Sequence, residues 1–118
     1  MKKRSVLGLI EKVVITGAKK REAVLARIDT GATSSSIDLQ LAATLELGPI
    51  TSLKVIKSAA GIGRRPLVRT KVKLAGQVLE ADFNLVDRSH MTYRVLIGQN
   101  VLKTGKFIID PLKNMKRK

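Results

Sequence analysis

The stretch from Val68 to Leu74 restricts the possible folds of this chain more than any other feature. Every second residue in it is apolar or small, and the residues between them are basic: Arg69, Lys71 and Lys73. A period of two is typical of a β-strand with one buried and one solvated face. Ala75-Gly76 then predicts a tight turn into a second apolar run, Val78 to Val86. The segment therefore predicts a β-hairpin.

Other β-branched runs are separated by turn signals in the same way. Residues 6–15 and 23–28 predict a first hairpin with its turn at 16–21. Further strands are predicted at 53–56, 67–74, 94–97 and 107–109. Short helices are predicted at 39–46, with Asp38 as N-cap, and at 99–103. Many short strands with only two short helices favour an all-β barrel or sandwich.

The length of 118 residues suits one domain and not two ordinary ones. We expect a single domain over 1–118, with a folded core at 6–112 and a basic tail at 113–118. The apolar stretch Val6–Ile10 is too short for a signal-peptide core or a membrane span. The sequence therefore predicts a cytoplasmic protein with no membrane contact.

The charge balance is strongly basic, with 23 Lys and Arg against 9 Asp and Glu and a net charge of +14. Such a field accelerates encounters with anions. An acidic peptide, RNA and the ribosome are all compatible with it. Aromatic residues make up only 3% of the chain, so contacts with RNA would be mainly to phosphates.

Metal and thiol chemistry have little support in the composition. The chain has no cysteine and a single histidine, His90. Disulfides, thiolate nucleophiles and cysteine-based zinc sites are therefore excluded, and the histidine pattern of a zinc protease helix is absent. We predict no metal and no cofactor, and interpret His90 as a solvated surface residue.

An aspartate follows the second predicted strand and opens a run of small and polar residues. Asp29-Thr30-Gly31-Ala32 begins this run, which extends to Ser36 and predicts a loop. Gly31 permits a tight turn and lets backbone N–H groups approach the carboxylate, while the Thr30 hydroxyl can anchor the loop. The same tripeptide is also compatible with an ordinary Asx turn at the end of a strand.

A second element at a suitable distance favours a catalytic interpretation. Val95–Leu102 is an apolar strand that ends at Gly98 and opens a helix. Together the two segments resemble the retropepsin-like aspartic proteases. The resemblance implies that family's barrel, an active site at Asp29 and loop residues that support it: Thr30, Gly31 and Ala32. It also implies a flap tip at Ala60, Gly61, Ile62 and Gly63, and support of the catalytic loop by Thr33, Ile97, Gly98 and Gln99.

A narrower resemblance extends over most of the chain. Its segments are similar to the family called ATP-dependent zinc proteases, which is associated with ATP-grasp ligases of the RimK type that add glutamates to a ribosomal protein. The matching segments are 26–32, 65–70, 85–91, 95–98 and 107–111. No zinc ligand set or Walker-type loop accompanies them. The family usually has Arg at position 99 and retropepsins an acidic residue at position 33, so a Gln99–Thr33 hydrogen bond is the expected replacement for that ion pair.

The chemistry of an aspartic protease requires two carboxyl groups that share one proton. Because the chain has a single Asp-Thr-Gly, the resemblance implies a homodimer in which both subunits contribute Asp29. Thr30 would brace the pair, and the flaps would cover an extended peptide, acidic or polyglutamate in composition. The alternative is a non-catalytic basic module of the same fold that binds RNA or the ribosome.

Two further charged segments have a structural and a functional interpretation. Arg64-Arg65 and the basic face of Arg69, Lys71 and Lys73 are either solvated strand residues or, beside a flap, a means of attracting an acidic substrate. Asp87-Arg88-Ser89 predicts a structural turn with a local ion pair.

Overall fold

The computed structural model describes residues 3–58 and 61–113 and contains nine strands and two six-residue helices within them. The strands are β1 (Val6–Leu7), β2 (Ile10–Thr16), β3 (Arg21–Ile28), β4 (Ser35–Asp38), β5 (Ile50–Ser58), β6 (Gly61–Leu74), β7 (Gln77–Val86), β8 (Val95–Ile97) and β9 (Ile108–Ile109). The helices are α1 (Leu39–Thr44) and α2 (Gln99–Thr104). The predicted all-β class with two short helices is confirmed.

Six strands close into a barrel in the order β2-β3-β8-β4-β7-β6, because β6 also pairs with β2. Both predicted hairpins are present, β2 with β3 and β6 with β7. Strand β5 pairs antiparallel with the first half of β6 and continues the sheet beyond the barrel. The β5–β6 hairpin is therefore built largely outside the barrel.

The barrel interior is filled by side chains from one face of the strands in which buried and exposed residues alternate. From Val68 to Leu74 the inward residues are buried and the basic ones are exposed, as the period of two predicts. Inward residues of β2, β6, β7 and β8 that contribute to the core are Val13, Ile15, Val68, Val72, Leu74, Phe83, Val95 and Ile97.

The first predicted strand divides into two strands with different partners. Ile10–Thr16 forms the expected hairpin with β3, but Val6–Leu7 pairs in parallel with β9, at Ile108 and Ile109. Two side chains fasten the same region: Arg4 Nε donates to the carbonyl of Lys106 at 2.8 Å, and Lys113 Nζ donates to that of Val6 at 2.8 Å.

The predicted loop at 29–36 is too long by two residues. Ser35 and Ser36 begin β4, a fully buried strand between β7 and β8. Serine is usually a surface residue, but both hydroxyls are hydrogen-bonded here, which removes most of the cost of burying them. Strand β6 likewise begins six residues before the predicted start at Leu67.

No helix in the described part of the chain is long and apolar enough to span a membrane.

Candidate active site

Asp29 lies directly after β3, at the start of a tight turn. Its side chain is half-buried, and its Oδ1 accepts a hydrogen bond from Gly31 N at 2.9 Å. The turn is closed by Ala32 N, which donates to Asp29 O at 3.3 Å. A Cβ at position 31 would lie 3.3 Å from the same Oδ1, so the glycine allows the close approach of backbone and carboxylate.

Strand β8 and the start of α2 hold this turn from below. Asp29 N donates to Ile97 O at 2.9 Å, and Gln99 N donates to Ala32 O at 2.8 Å. At Gly98 a Cβ would lie only 2.2 Å from Ser34 O, so the two segments approach too closely for any side chain there. The two sequence elements that carried the resemblance are thus in direct contact.

Gln99 contacts the loop at a different residue from the one expected. Its Nε2 donates to the carbonyl of Thr30 at 2.8 Å, and the expected bond to Thr33 is wrong. Thr33 is exposed at the far end of the loop, whereas Thr30 lies at the turn itself. Gln99 therefore fastens the turn at two residues, Thr30 through its side chain and Ala32 through its backbone N–H.

Beneath the loop lies a polar network that the sequence did not predict. Ser35 Oγ accepts from Gly98 N at 2.8 Å and donates to Asn100 Oδ1 at 2.7 Å. Asn84 Nδ2 donates to Ser35 O at 3.0 Å, and its Oδ1 accepts from Ser36 Oγ at 2.9 Å. Isolated serines and asparagines give no sequence signal for such a network, because its members come from β4, β7 and α2.

The predicted flap corresponds to the end of the β5–β6 hairpin. The two strands pair out to Ser58 and Gly61, and Gly61, Ile62 and Gly63 are exposed, Ile62 by 73%. Ala60, the remaining residue of the predicted tip, lies outside the described residues.

A cleft of about 420 Å³ separates the loop that follows Asp29 from this hairpin. The loop side consists of Gly31, Ala32, Thr33 and Ser34, and the hairpin side of residues 54–57 and Arg65. Among the described residues that line the cleft, four are basic and none is acidic: Lys54, Lys57, Arg65 and Arg88. Only Arg65 was predicted near a substrate, because nothing local to the other three indicates which cavity they reach.

The remaining basic residues of β6 lie elsewhere. Arg69 forms ion pairs with Asp82 at 3.3 Å and Glu80 at 3.8 Å on the outer surface of the barrel. Arg69 and Lys71 line a separate cavity of about 280 Å³ beside Gly17. The structure thus separates the basic face of β6 from the cleft, except at Arg65.

The turn at Asp87-Arg88-Ser89 is present, but the local ion pair predicted in it is wrong. Asp87 Oδ1 accepts from Ser89 N at 2.9 Å and from Ser89 Oγ at 2.6 Å, and these bonds lower the pKa of Asp87. The Arg88 side chain instead donates from Nε to Tyr93 O at 2.9 Å. His90 is exposed in this turn, as predicted.

Asp38 is a buried carboxylate that connects the start of α1 to the turn containing Arg88. As predicted it caps α1, with Oδ2 accepting from Gln40 N and Leu41 N, while Oδ1 accepts from Arg88 N at 2.7 Å. Burial alone would raise the pKa of Asp38, but these backbone hydrogen bonds and the charge of Arg94 together bring it below 3.8. Asp38 is therefore a structural carboxylate that positions Arg88.

A second cavity lies beside Thr30, and no described residue lines both it and the cleft. It measures about 520 Å³ and is lined by Thr30 and Gln99, the apolar residues Leu102, Phe107 and Ile109, and the basic residues Arg4, Lys103 and Lys106. Thr30 is exposed there. In the described residues, no cluster of three or more His, Asp or Glu side chains could hold a metal ion.

The closed barrel, the strand-to-turn aspartate and the glycine-opened helix beneath it define the class of retropepsin-like folds. The family model described as RimB-like, retropepsin-like aspartic endopeptidase RimB, matches residues 39–118, and the chain belongs to this family. The match begins after the Asp29 turn. No curated protein matches the chain.

Solved structures support the same fold at low sequence identity. The Legionella pneumophila protein Lpg0085, of unknown function, is 21% identical with a TM-score of 0.65, over 92% of this chain and 95% of that one. EIAV protease in complex with the inhibitor HBY-793 is 17% identical with a TM-score of 0.64, over 88% and 89%. Simian foamy virus (mac) protease is 20% identical with a TM-score of 0.58, over 80% and 91%.

Proposed function

We propose that this protein is a homodimeric aspartic endopeptidase in which Asp29 of each subunit forms one half of the catalytic pair. The observation that carries this proposal is the Asp29 turn itself. Its carboxylate accepts a bond from Gly31 N, and its backbone is held by Ile97 and Gln99 beside a cleft large enough for an extended peptide. Membership of an aspartic endopeptidase family supports the same chemistry.

The reaction follows from two carboxyl groups in one site. At a separation of about 3 Å they cannot both ionise, so they share one proton. The ionised Asp29 takes a proton from water as the water attacks the scissile carbonyl carbon. The protonated Asp29 donates to the carbonyl oxygen, and a proton then passes to the amine nitrogen as the C–N bond breaks.

The surface beside Thr30 supports assembly of such a pair. Thr30 is exposed, and within the described residues only its backbone carbonyl is hydrogen-bonded, by Gln99. The adjacent cavity is lined by the apolar residues Leu102, Phe107 and Ile109 and by the basic residues Arg4, Lys103 and Lys106. A second subunit that covers the Thr30 side would bring the two Asp29 turns together.

The substrate that suits the cleft best is an acidic peptide, polyglutamate included. An extended peptide between the catalytic loop and the β5–β6 hairpin would bind through main-chain hydrogen bonds, with side chains in alternate pockets. The four basic residues of the cleft lining would attract carboxylate side chains. Glu-rich peptides should therefore be cleaved faster than neutral ones, and the preference should decrease with salt.

The test compares the wild type with Asp29→Asn and with Asp82→Asn, an exposed Asp on the outer surface of β7. Asp29→Asn should abolish hydrolysis of a Glu-rich peptide and leave the dimer intact, because Asn keeps the size and the bond from Gly31 N. Asp82→Asn should retain activity. Hydrolysis is followed by mass spectrometry and the solution mass by light scattering.

Two results would contradict the proposal. A monomer near 12.9 kDa at high protein concentration would leave each Asp29 without a second carboxyl group. Hydrolysis that persists in Asp29→Asn would place the chemistry elsewhere. A dimer that cleaves no peptide but binds RNA in a salt-dependent manner would support the alternative of a non-catalytic binding module.

A further inference from the structure

Two of the basic residues that line the cleft come from separate parts of the chain. Arg65 lies on β6, in the hairpin, and Arg88 lies in the turn between β7 and β8. Both line the cleft, together with Ser36 and Leu96. Their charges are close enough to interact, because the charge of Arg65 contributes, after burial, to lowering the pKa of Arg88, against the opposing effect of Asp38.

Arg65 is held in place by a neutral group. Its Nη1 donates to Asn84 Oδ1 at 3.3 Å. Asn84 is buried and its orientation is fixed, because its Nδ2 donates to the carbonyl of Ser35 at 3.0 Å. An amide oxygen orients the guanidinium but does not neutralise it.

Arg88 is held equally firmly and is only 8% exposed. Its backbone N donates to Asp38 Oδ1, and its Nε donates to Tyr93 O. No buried side-chain nitrogen or oxygen in the described residues lacks a hydrogen-bond partner. The terminal nitrogens of Arg88 have no hydrogen bond to the described residues, so they are in contact with solvent. Because Arg88 lines the cleft, that solvent is the solvent in the cleft.

We propose that Arg65 and Arg88 form a carboxylate-binding subsite that selects an acidic side chain of the peptide in the cleft. The inference rests on the proposed function, since the carboxylate belongs to the substrate. Guanidinium groups bind carboxylates through two parallel hydrogen bonds, and positions fixed by Asn84 and Tyr93 reduce the ordering cost of binding.

This subsite differs from a generally basic surface in a testable way. A diffuse field would favour acidic residues anywhere in a peptide, whereas two fixed guanidinium groups favour them at one position in the cleft of each subunit. Arg69 provides the comparison, because it lies on the same strand but is already paired with Asp82 and Glu80 outside the cleft.

The experiment measures binding in the Asp29→Asn background, so that it does not depend on hydrolysis. Fluorescent peptides with a single Glu moved through a neutral sequence are titrated against the protein and followed by anisotropy. Affinity should increase for Glu at the one position that faces the subsite of each subunit, by about tenfold over Gln. Arg65→Gln should remove that increase, and Arg69→Gln should leave it within about twofold.

Arg88→Gln is a second variant, with its fold checked by urea denaturation, and should reduce the same positional preference. A preference unaffected by Arg65→Gln, or reduced equally by Arg69→Gln, would overturn the subsite. If Arg65→Gln weakens the binding of an RNA oligomer as much as that of the Glu peptide, the subsite is not selective for carboxylates. Failure of the proposed function would appear separately, as a wild type that cleaves none of these peptides while the positional preference persists.

Discussion

Gly98 controls how closely the loop that follows Asp29 approaches β8 and the start of α2. A methyl group there would meet Ser34 O at 2.2 Å, Ser34 C at 2.7 Å and Ala32 O at 2.9 Å, all backbone atoms that cannot rotate away. Gly98→Ala should therefore destabilise the protein by about 2 kcal/mol or more, because the loop must move outward. Urea denaturation measures the loss. Gly63→Ala is the control, since no atom of the described residues lies within 4 Å of a Cβ at that position, and a loss as large in this variant would contradict the steric explanation.

Asp38 links stability to pH. Its pKa lies below 3.8 in the folded protein, so its contribution is complete above the pKa of the unfolded chain and is lost as the pH falls through the folded value. Asp38→Asn should lower the free energy of unfolding by about 2 kcal/mol near neutral pH. The difference from wild type should shrink below about pH 4. Urea titrations at several pH values test this, with Asp82→Asn as the exposed control; a difference that is constant with pH would rule out the carboxylate as its source.

Residues differ in how much of their role the sequence reveals. Gly31 and Gly98 were predictable because each stands in a local pattern, a tight turn in one case and a strand end in the other. The roles of Ser35 and Arg88 were not predictable, because they depend on hydrogen-bond partners elsewhere in the chain. Ser35 bonds to Gly98 and Asn100. Arg88 bonds to Asp38 and Tyr93.

At the scale of elements, the β5–β6 hairpin allows a direct test of whether it covers the bound peptide. Ile62 is 73% exposed at its end, so replacing it should not alter stability. If the hairpin covers the peptide, Ile62→Ser should raise KM by about tenfold through the loss of apolar contact. Val78→Ser is the matched control, exposed by 64% at the opposite end of β6 and β7. Peptide kinetics measure both, and an equal change in the two variants would argue against a covering role.

Strands with an apolar pattern of their own were predicted well, whether their partners are near or far along the chain, and strands without such a pattern were not. The alternation from Val68 to Leu74 sufficed for the β6–β7 hairpin, because its partner follows after a two-residue turn. Strand β4 pairs with β7 and β8, far along the chain, and its Ser-Ser start has no strand signal. The first half of β6 is rich in glycine and arginine, so its pairing with β5 determines the strand rather than its own propensity.

For the whole molecule, the proposed assembly depends on the face that contains Thr30. Thr30→Arg should place two like charges at the axis between subunits, at a cost of several kcal/mol. The fold should survive, since the Thr30 side chain is exposed and its carbonyl alone is hydrogen-bonded to the part of the chain that the structure describes. Light scattering should then give a mass near 12.9 kDa and activity should be lost together with the dimer. Thr92→Arg, also exposed, should remain dimeric; a Thr30→Arg dimer would exclude this face from the interface.

The contact between β8, α2 and the Asp29 turn has a consequence for folding during synthesis of the chain. Asp29 N is bonded to Ile97 O, and Ala32 O to Gln99 N, so the groups that hold the turn are made long after the aspartate itself. The pairing of β1 with β9 comes later still, at Ile108 and Ile109. A growing chain thus exposes Asp29 early but holds it in its final geometry only after residue 99 has left the ribosome. The topology thus determines when the turn can form, and a chain that ends before residue 99 lacks the groups that hold the Asp29 turn in place.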